Sequence, residues 1–415
     1  MRITKIALVA MVVMLLGCDT GNKVDPVFQD YFIKYYGEDG NQEGVDIYVN
    51  GDGSMILLGN SSSLTELSIP FIVKTDSLGN VLWQHQMGGR NEKAVDVELI
   101  PSGIHQGKLV VVSNVGTDTE SKIRITIVDQ SGKGIDSLIL DTDKWQTVKS
   151  VTPSSDSDFI VCGNAAPDPD RNAQPSPDDH ADIISLRVDQ SLTTVDTLSW
   201  QGGEHEGFAV KVFEVPLQGE TKYALFGYSD RKKDEQADFE DKFEVIVVNV
   251  DGLPSGVRVT TGQSGQKQKA SQAIRVPASQ EDGFFMIGTN EDGSNRDIFV
   301  TKYSKDLSMT KLAQTLPFGG KMEGVAVASA IREEGYFLLA NEIQDNNNRN
   351  IFLVHIRLDG SKVWSTSFGN EDGDDTAGAV AALKDGRIAV LGTIDLETQK
   401  KMALIIVNKN GGFSN

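Results

Sequence analysis

The residues of this chain best suited to chemistry are one cysteine in its body, Cys162, five histidines, and several clusters of carboxylates. A catalytic thiol needs a thiolate beside a histidine. Cys162 instead closes an apolar run, Phe159-Ile160-Val161-Cys162, and the residues in the same place of similar runs are Leu58, Val112, Phe226, Ile287, Leu339 and Leu391. That column predicts a buried, inert thiol. His205 sits in Gly203-Glu204-His205-Glu206-Gly207 without the second histidine of the zinc-protease pattern. Its neighbour Glu206 recurs as Glu43 and Glu323, as a structural residue repeated from unit to unit would. His355 aligns with Ile72, Ile125, Ser185, Val247 and Val300, which predicts a packed histidine rather than a ligand.

Carboxylates gather in the segments that lead into alternating strands: Glu38, Asp39, Glu43, Glu92, Glu204, Glu206, Glu323, Glu371, Asp372, Asp374 and Asp375. Side by side, they would form an acidic ring on one face, and hard cations prefer such oxygen ligands. The metal candidates are therefore Glu206, Glu323, Asp372, Asp374 and Asp375, with calcium as the ion. Neither Glu371–Asp375 nor Asn290–Asp297 has the spacing of a helix-flanked calcium loop. Asp, Asn and Gly are also the ordinary turn formers. No catalytic and no cofactor-binding residue is assigned.

The chain is 415 residues long with 39% hydrophobic content and a formal net charge of -20. It can bury a sizeable core, and its charge argues against tracking nucleic-acid phosphates. Arg2 and Lys5 precede an apolar run, Ile6 to Leu16, too short to span a bilayer, and Leu15-Leu16-Gly17-Cys18 follows. This segment resembles the lipobox of bacterial lipoproteins. The resemblance implies a signal peptide over 1–17, lipidation of Cys18, a polar tether over 18–29, and a place on a Gram-negative envelope membrane, expected to be the outer one. With Cys18 lipidated, Cys162 has no disulfide partner.

The remainder is one unit repeated seven times. Copies begin with EGVDIYVNGDGSMILLGN at Glu43, KAVDVELIPSGIHQGKLVVVSN at Lys93, QTVKSVTPSSDSDFIVCGN at Gln146, EGFAVKVFEVPLQGETKYALFGY at Glu206, KASQAIRVPASQEDGFFMIGTN at Lys269, EGVAVASAIREEGYFLLAN at Glu323 and TAGAVAALKDGRIAVLGT at Thr376. A third strand ending in Asp or Asn follows, at Asp76, Asp129, Asp189, Asp251, Asp359 and Asn408, then a turn and a fourth strand. The seventh copy lacks its fourth strand, and Tyr31–Tyr36 supplies a match for it at the other end. Units of about 55 residues suit propeller blades. The expectation is an all-β fold over 30–415: a single seven-bladed β-propeller of four-stranded blades, closed by the N-terminal strand pairing into the last blade. Six or eight blades and a parallel β-helix are the competing architectures.

Asp76-Ser-Leu-Gly-Asn-Val-Leu-Trp83 and Asp359-Gly-Ser-Lys-Val-Trp364 resemble the Asp-x-x-Gly-x-x-x-Trp signature of pyrroloquinoline-quinone-like (quinoprotein-type) propeller repeats. The resemblance implies that the aspartate and glycine shape the turn between third and fourth strands, and that the tryptophan docks one blade on the next. Quinone enzymes of that family have eight blades and an adjacent-cysteine disulfide, which this chain cannot form, so the likeness extends to fold and not to quinone chemistry. Two long connections, Ala165–Ala181 and Ser229–Lys242, fall in consecutive units on one face and form the expected contact patch.

These observations lead to a lipid-anchored, monomeric, non-enzymatic scaffold that binds another envelope protein through its loop face. The alternative is a calcium-dependent carbohydrate-active or lactone-hydrolysing propeller with acidic residues at the channel mouth. Passive glycan binding ranks below both, since it wants exposed aromatics and there are four tryptophans.

Overall fold

In every unit the second and third strands are near-continuous apolar runs, such as Met55-Ile56-Leu57-Leu58, whereas the fourth strands alternate and stay half exposed. Strands of the first kind must be covered on both faces. The computed structural model describes residues 30–415 apart from 63–66, 118–119, 141–144, 166–181, 202–206, 233–238, 309, 332–333, 371 and 415. Over Tyr31–Asn415 these residues form seven four-stranded antiparallel sheets, the blades of a β-propeller. We letter the strands of each blade a to d outward from the axis. The a strands are Asn41–Val49, Glu92–Leu99, Gln146–Pro153, Gly207–Leu217, Lys267–Val276, Lys321–Ser329 and Thr376–Ala382.

The core is divided in the same way. Among the described residues the hydrophobic clusters each span one blade interface, and together they run round the ring, blade 7 to blade 1 included. Covering both faces of every b and c strand explains their composition.

Closure uses the first strand of the described chain. Phe32–Tyr36 pairs with strand c of blade 7, from Phe32↔Ile406 to Tyr36↔Met402. Its side chains then reach blade 1: the Tyr36 hydroxyl donates to Gly79 O at 2.8 Å and Lys34 Nζ donates to Leu78 O at 2.7 Å. The strand is thus hydrogen-bonded into one blade and pinned to the next.

Each a strand carries a β-bulge at its third, fourth or fifth position, between Gly44 and Asp46 in blade 1 and at the equivalent register in the other six. The bulge brings the a strand's carbonyl against the partner strand, so a small residue must stand opposite. Gly163 shows this most plainly, because a Cβ there would collide with Thr147 O. The next residue in strand b is a bridge to the following blade. Asn60 accepts from Ala94 N at 2.8 Å and donates to Ala94 O, and Asn114 does the same for Val148. Asn341 accepts from Ala377 N, Thr289 from Gly324 N, and Thr393 from Gly44 N across the closure. The Gly-Asn, Ser-Asn, Ala-Asn and Gly-Thr pairs that end the repeated runs are therefore the joints of the ring.

The turns between strands c and d follow the resemblance. Asp76 Oδ1 accepts from Leu78 N and Asn80 N, and Asp359 from Ser361 N. Trp83 donates Nε1 to Gln130 O at 3.1 Å and lies against Gly132 in the turn of blade 2, while Trp364 covers Gly411 in blade 7. One expectation needs correction. Ser229–Lys242 is mostly strand: b and c of blade 4 continue as a hairpin to Lys232↔Phe239. Asn290–Asp297 is also a hairpin, turning at Gly293-Ser294 between Asp292 and Asn295, with Asn290 buried and accepting from Gln268.

Candidate functional site

Strand a begins and strand b ends on one face, as Asn41↔Ser62 shows, so the d-to-a and b-to-c connections share that face, hereafter the loop face. Three carboxylates of the expected acidic ring, Glu92, Glu323 and Asp374, are in ion pairs. Glu92 is buried and bound by Arg124 at 2.8 Å and by Gly89 N at 2.7 Å. Glu323 is paired with Arg296. Asp374 receives both prongs of Arg349, at 2.8 and 2.7 Å, and Lys400 at 3.0 Å, and the Arg349 hydrogen bonds hold its carboxyl well below the usual carboxylate range. Asp375 caps its own loop, accepting from Asn370 N at 2.7 Å and Asp395 N at 2.6 Å, and its burial raises its pKa. Asp372 is exposed, and only its carbonyl is engaged, by Asn348. Among the described residues no group of three His, Cys, Asp or Glu side chains is placed to hold a metal ion. Glu204, His205, Glu206 and Glu371 lie outside the described residues, as do Cys18 and most of Ala165–Ala181.

Cys162 is fully buried in the interface of blades 3 and 4, with Sγ 3.1 Å from Ser150 Oγ, and burial pushes its thiol up to about 11. Its column is as expected: Leu58, Val112, Phe226, Ile287, Leu339 and Leu391 pair with the same register position of strand a. His355 does not fall in the column assigned to it. It pairs with Phe337, two residues from Leu339, whose partner is Leu353. Its true column holds Lys74, Ile127, Arg187, Val247, Lys302 and Ile406 in the other blades, so of the residues aligned with it only Val247 shares its place. A period-two pattern looks the same after a two-residue slip, which is why the sequence alignment went astray. His355 is buried between Phe337 and Trp364, with centroids at 4.9 and 5.8 Å.

The arrangement with chemical potential lies deeper, on the propeller axis. The seven bulge residues, Val45, Val95, Lys149, Val210, Ser271, Val325 and Gly378, line one axial cavity of about 490 Å³. On the loop face it meets a vestibule of about 770 Å³ lined by Glu43, Lys93, Asn60, Asn341, Arg349 and Lys400 among others, and Val325 lines both.

The residue after the bulge sits on the cavity wall in blades 1 to 5, as Asp46, Asp96, Ser150, Lys211 and Gln272; in blades 6 and 7 it is Ala326 and Ala379, buried in the blade interfaces. Asp46 Oδ2 accepts from Val97 N at 3.1 Å, Asp96 Oδ2 from Val151 N at 2.8 Å, and Gln272 Oε1 from Val327 N at 2.7 Å, each in the next blade. Lys211 donates to Asp96 at 2.9 Å, Glu98 at 2.8 Å and Val151 O at 3.1 Å. Burial lowers the Lys211 pKa, but Asp96 and Glu98 outweigh this and hold it above its ordinary value. Burial, then the charge and hydrogen bond of Asp96, raises the Asp46 pKa well above its ordinary value. Burial also raises Glu98, against the pull of Lys211. A buried carboxyl with a raised pKa beside a second carboxyl is raw material for acid–base chemistry. Here both carboxylates already cap backbone N–H groups, so blade-to-blade cohesion accounts for them.

These residues escaped the sequence reading. The signal was present as a column that changes character between blades, but the bulge shifts the facing by one residue and hides which of Val45 and Asp46 looks inward.

No family model matches the chain, and no curated protein sequence does. Solved propellers are similar in fold. Raptor of Chaetomium thermophilum superposes with a TM-score of 0.53 at 7% identity, over 92% of this chain and 29% of that one. Hydrazine synthase of Kuenenia stuttgartiensis gives 0.51 at 10% identity, over 86% and 94%. The alpha-L-arabinofuranosidase of Fusarium graminearum gives 0.49 at 10%, over 79% and 97%. At such identities the likeness shows the propeller fold and nothing finer.

Proposed function

We propose that this propeller is a lipid-anchored, non-enzymatic binding module of a Gram-negative envelope that engages a partner protein with its loop face. The observation that carries the reading is the blade 4 hairpin. Its strands b and c run three residue pairs past the level where strand a begins, Asp230↔Asp241 to Lys232↔Phe239, on the same face as the polar vestibule. A hairpin arm on a closed ring offers a rigid, preorganised contact, which keeps the entropic cost of association down. The rim carboxylates support the same reading, since Asp374, Glu323 and Glu92 are committed to basic partners rather than open to a cation. The lipobox-like Leu15-Leu16-Gly17-Cys18 supports the anchor. The Asp76 and Trp83 contacts favour a quinoprotein-type repeat.

Two experiments test this. Incorporation of labelled palmitate in a bacterial host should be lost in Cys18→Ala. Chemical cross-linking in native membranes should join the protein to one recurrent envelope protein, and replacing 231–240 by Asn-Gly, which the register of Asp230 and Asp241 accommodates, should abolish that product while the melting temperature holds. Equal cross-linking by the shortened form would refute the loop-face reading.

A further inference from the structure

The strand that closes the ring also fixes where the preceding chain joins it. Phe32 pairs with Ile406 near the end of strand c of blade 7, so the chain enters the propeller among the c-to-d turns, on the face opposite the loops. Tyr31, at that entry, lines a groove of about 440 Å³ between blades 6 and 7, with Ile331, Phe337, Ala382 and Leu383 as apolar walls. Cys18 lies 13 residues before Tyr31. At no more than about 3.6 Å per residue, a lipid on Cys18 keeps the point of entry within roughly 45 Å of a membrane.

The same face carries exposed apolar side chains on its turns. Ile104, in the a-to-b turn of blade 2, is 69% exposed, Leu253, in the c-to-d turn of blade 4, 62%, and Ile331, in the a-to-b turn of blade 6, 56%. Apart from Val250 beside Leu253, the other exposed large apolar side chains belong to the outer d strands and the C-terminal tail. Among the described residues none stands in a connection of the loop face. Neighbouring structure holds each of the three tips in place. Gln190, buried in the c-to-d turn of blade 3, accepts from His105 N at 3.2 Å and donates to Ser102 O at 2.8 Å, which grips the Ile104 turn from both sides. Gln280 of blade 5 donates to Ala330 O, next to Ile331. In the Leu253 turn Asp251 accepts from Leu253 N at 3.0 Å, and a Cβ on Gly252 would collide with Leu198 O of blade 3. Alternate blades thus present an apolar residue to solvent in a fixed position, where turns ordinarily carry polar ones.

We propose that the face opposite the loops is a membrane-contact surface, which rests on neutral lipid through Ile104, Leu253 and Ile331 and so turns the loop face away from the bilayer. The proposal rests on the anchor at Cys18 read above, since a lipid anchor is strengthened by a second contact with the membrane. The chemistry of the face selects neutral lipid: Asp76, Asp129, Asp251 and Asp359 cap its c-to-d turns and repel an anionic surface.

Cys162 is buried, so a thiol-reactive dye reports on an introduced cysteine. Ile104→Cys, Leu253→Cys, Ile331→Cys and, on the loop face, Lys93→Cys are each labelled with an environment-sensitive nitrobenzoxadiazole in the lipidated protein purified from a bacterial host. Each is then reconstituted in phosphatidylcholine vesicles containing a nitroxide lipid. Blue-shifted and quenched dye at two or more of the tips, with neither change at Lys93, is the expected result. The tips sit in different blades, so if one labelled variant fails to melt like the unaltered protein the other two carry the test. Any other pattern in folded protein overturns the proposal, and a requirement for phosphatidylglycerol overturns the choice of neutral lipid. Palmitate incorporation keeps the two readings apart. Protein that takes palmitate but lacks the pattern overturns the contact surface alone, whereas protein that takes none overturns the anchor and the contact surface with it.

Discussion

The two halves of the ring solve one problem differently. Around blades 1 to 4 the position after the bulge is polar, and Asp46, Asp96 and Lys211 reach from blade to blade with side chains. In blades 6 and 7 that position is alanine, and from blade 7 to blade 1 the backbones approach closely. A Cβ on Gly378 would stand 2.5 Å from Gly44 O, and one on Gly44 would stand 2.7 Å from Gly392 O. Inter-strand N–H groups must be satisfied or covered in both halves. Close approach leaves nothing for chemistry, whereas long polar side chains leave charges on the axis. The contrast shows that charge in a channel is no sign of catalysis by itself.

The largest test of this contrast is Lys211→Ala. It would strand Asp96 and Glu98 in the blade 2 to blade 4 region, and breaking a buried ion pair from one side costs about 3–5 kcal/mol. Urea unfolding should show that loss, and a change under about 1 kcal/mol would mean that the carboxylates are satisfied by other means. Next comes Gly378→Ala, which disturbs the glycine half and should cost about 1–3 kcal/mol as overpacking does. If it is neutral, the backbones there are less tightly apposed than described.

Asp46 and Asp374 sharpen the comparison through pH, with opposite signs. Native Asp46 holds its proton longer than the unfolded chain does, so its contribution is full below the unfolded carboxylate pKa and is lost as pH rises toward its folded value. The unaltered protein should therefore lose ground to Asp46→Asn as pH climbs from acid to neutral. Native Asp374 loses its proton more readily than the unfolded chain, so its contribution is present above the unfolded pKa and declines as pH falls below it. Since the Asp374 pair is partly exposed, with side chains 29% and 36% accessible, Asp374→Asn should cost only about 0.5–1 kcal/mol near neutrality and less in acid. Melting curves across pH check both, and parallel slopes would contradict the assignment.

Much of the ring was legible in the sequence because its determinants are local and repeated. The apolar runs of strands b and c, the turn aspartates such as Asp76, and the Gly-Asn endings each recur at fixed spacing. Closure was legible because Tyr31–Tyr36 fills a gap that the seventh copy leaves. The axial site was not, for two physical reasons. A β-bulge breaks the period-two facing, so alternation misassigns Asp46, Asp96 and Lys211. Their partnership is also non-local, since Lys211 and Asp96 lie far apart in sequence and meet only when the ring forms. The same register ambiguity misplaced His355, and two of the candidate metal carboxylates, Asp374 and Glu323, meet basic partners from other strands, Arg349 with Lys400 and Arg296.

The central claim is that the loop face binds a partner protein and the opposite face does not. Its most direct test places a photo-reactive benzoylphenylalanine at single positions in the full-length protein expressed in a Gram-negative host: at Lys93 on the vestibule rim, and at Ile331 among the a-to-b turns of the other face, where it is 56% exposed. The account predicts an irradiation-dependent adduct with one envelope protein from Lys93 and none from Ile331. An adduct from Ile331 alone would contradict it.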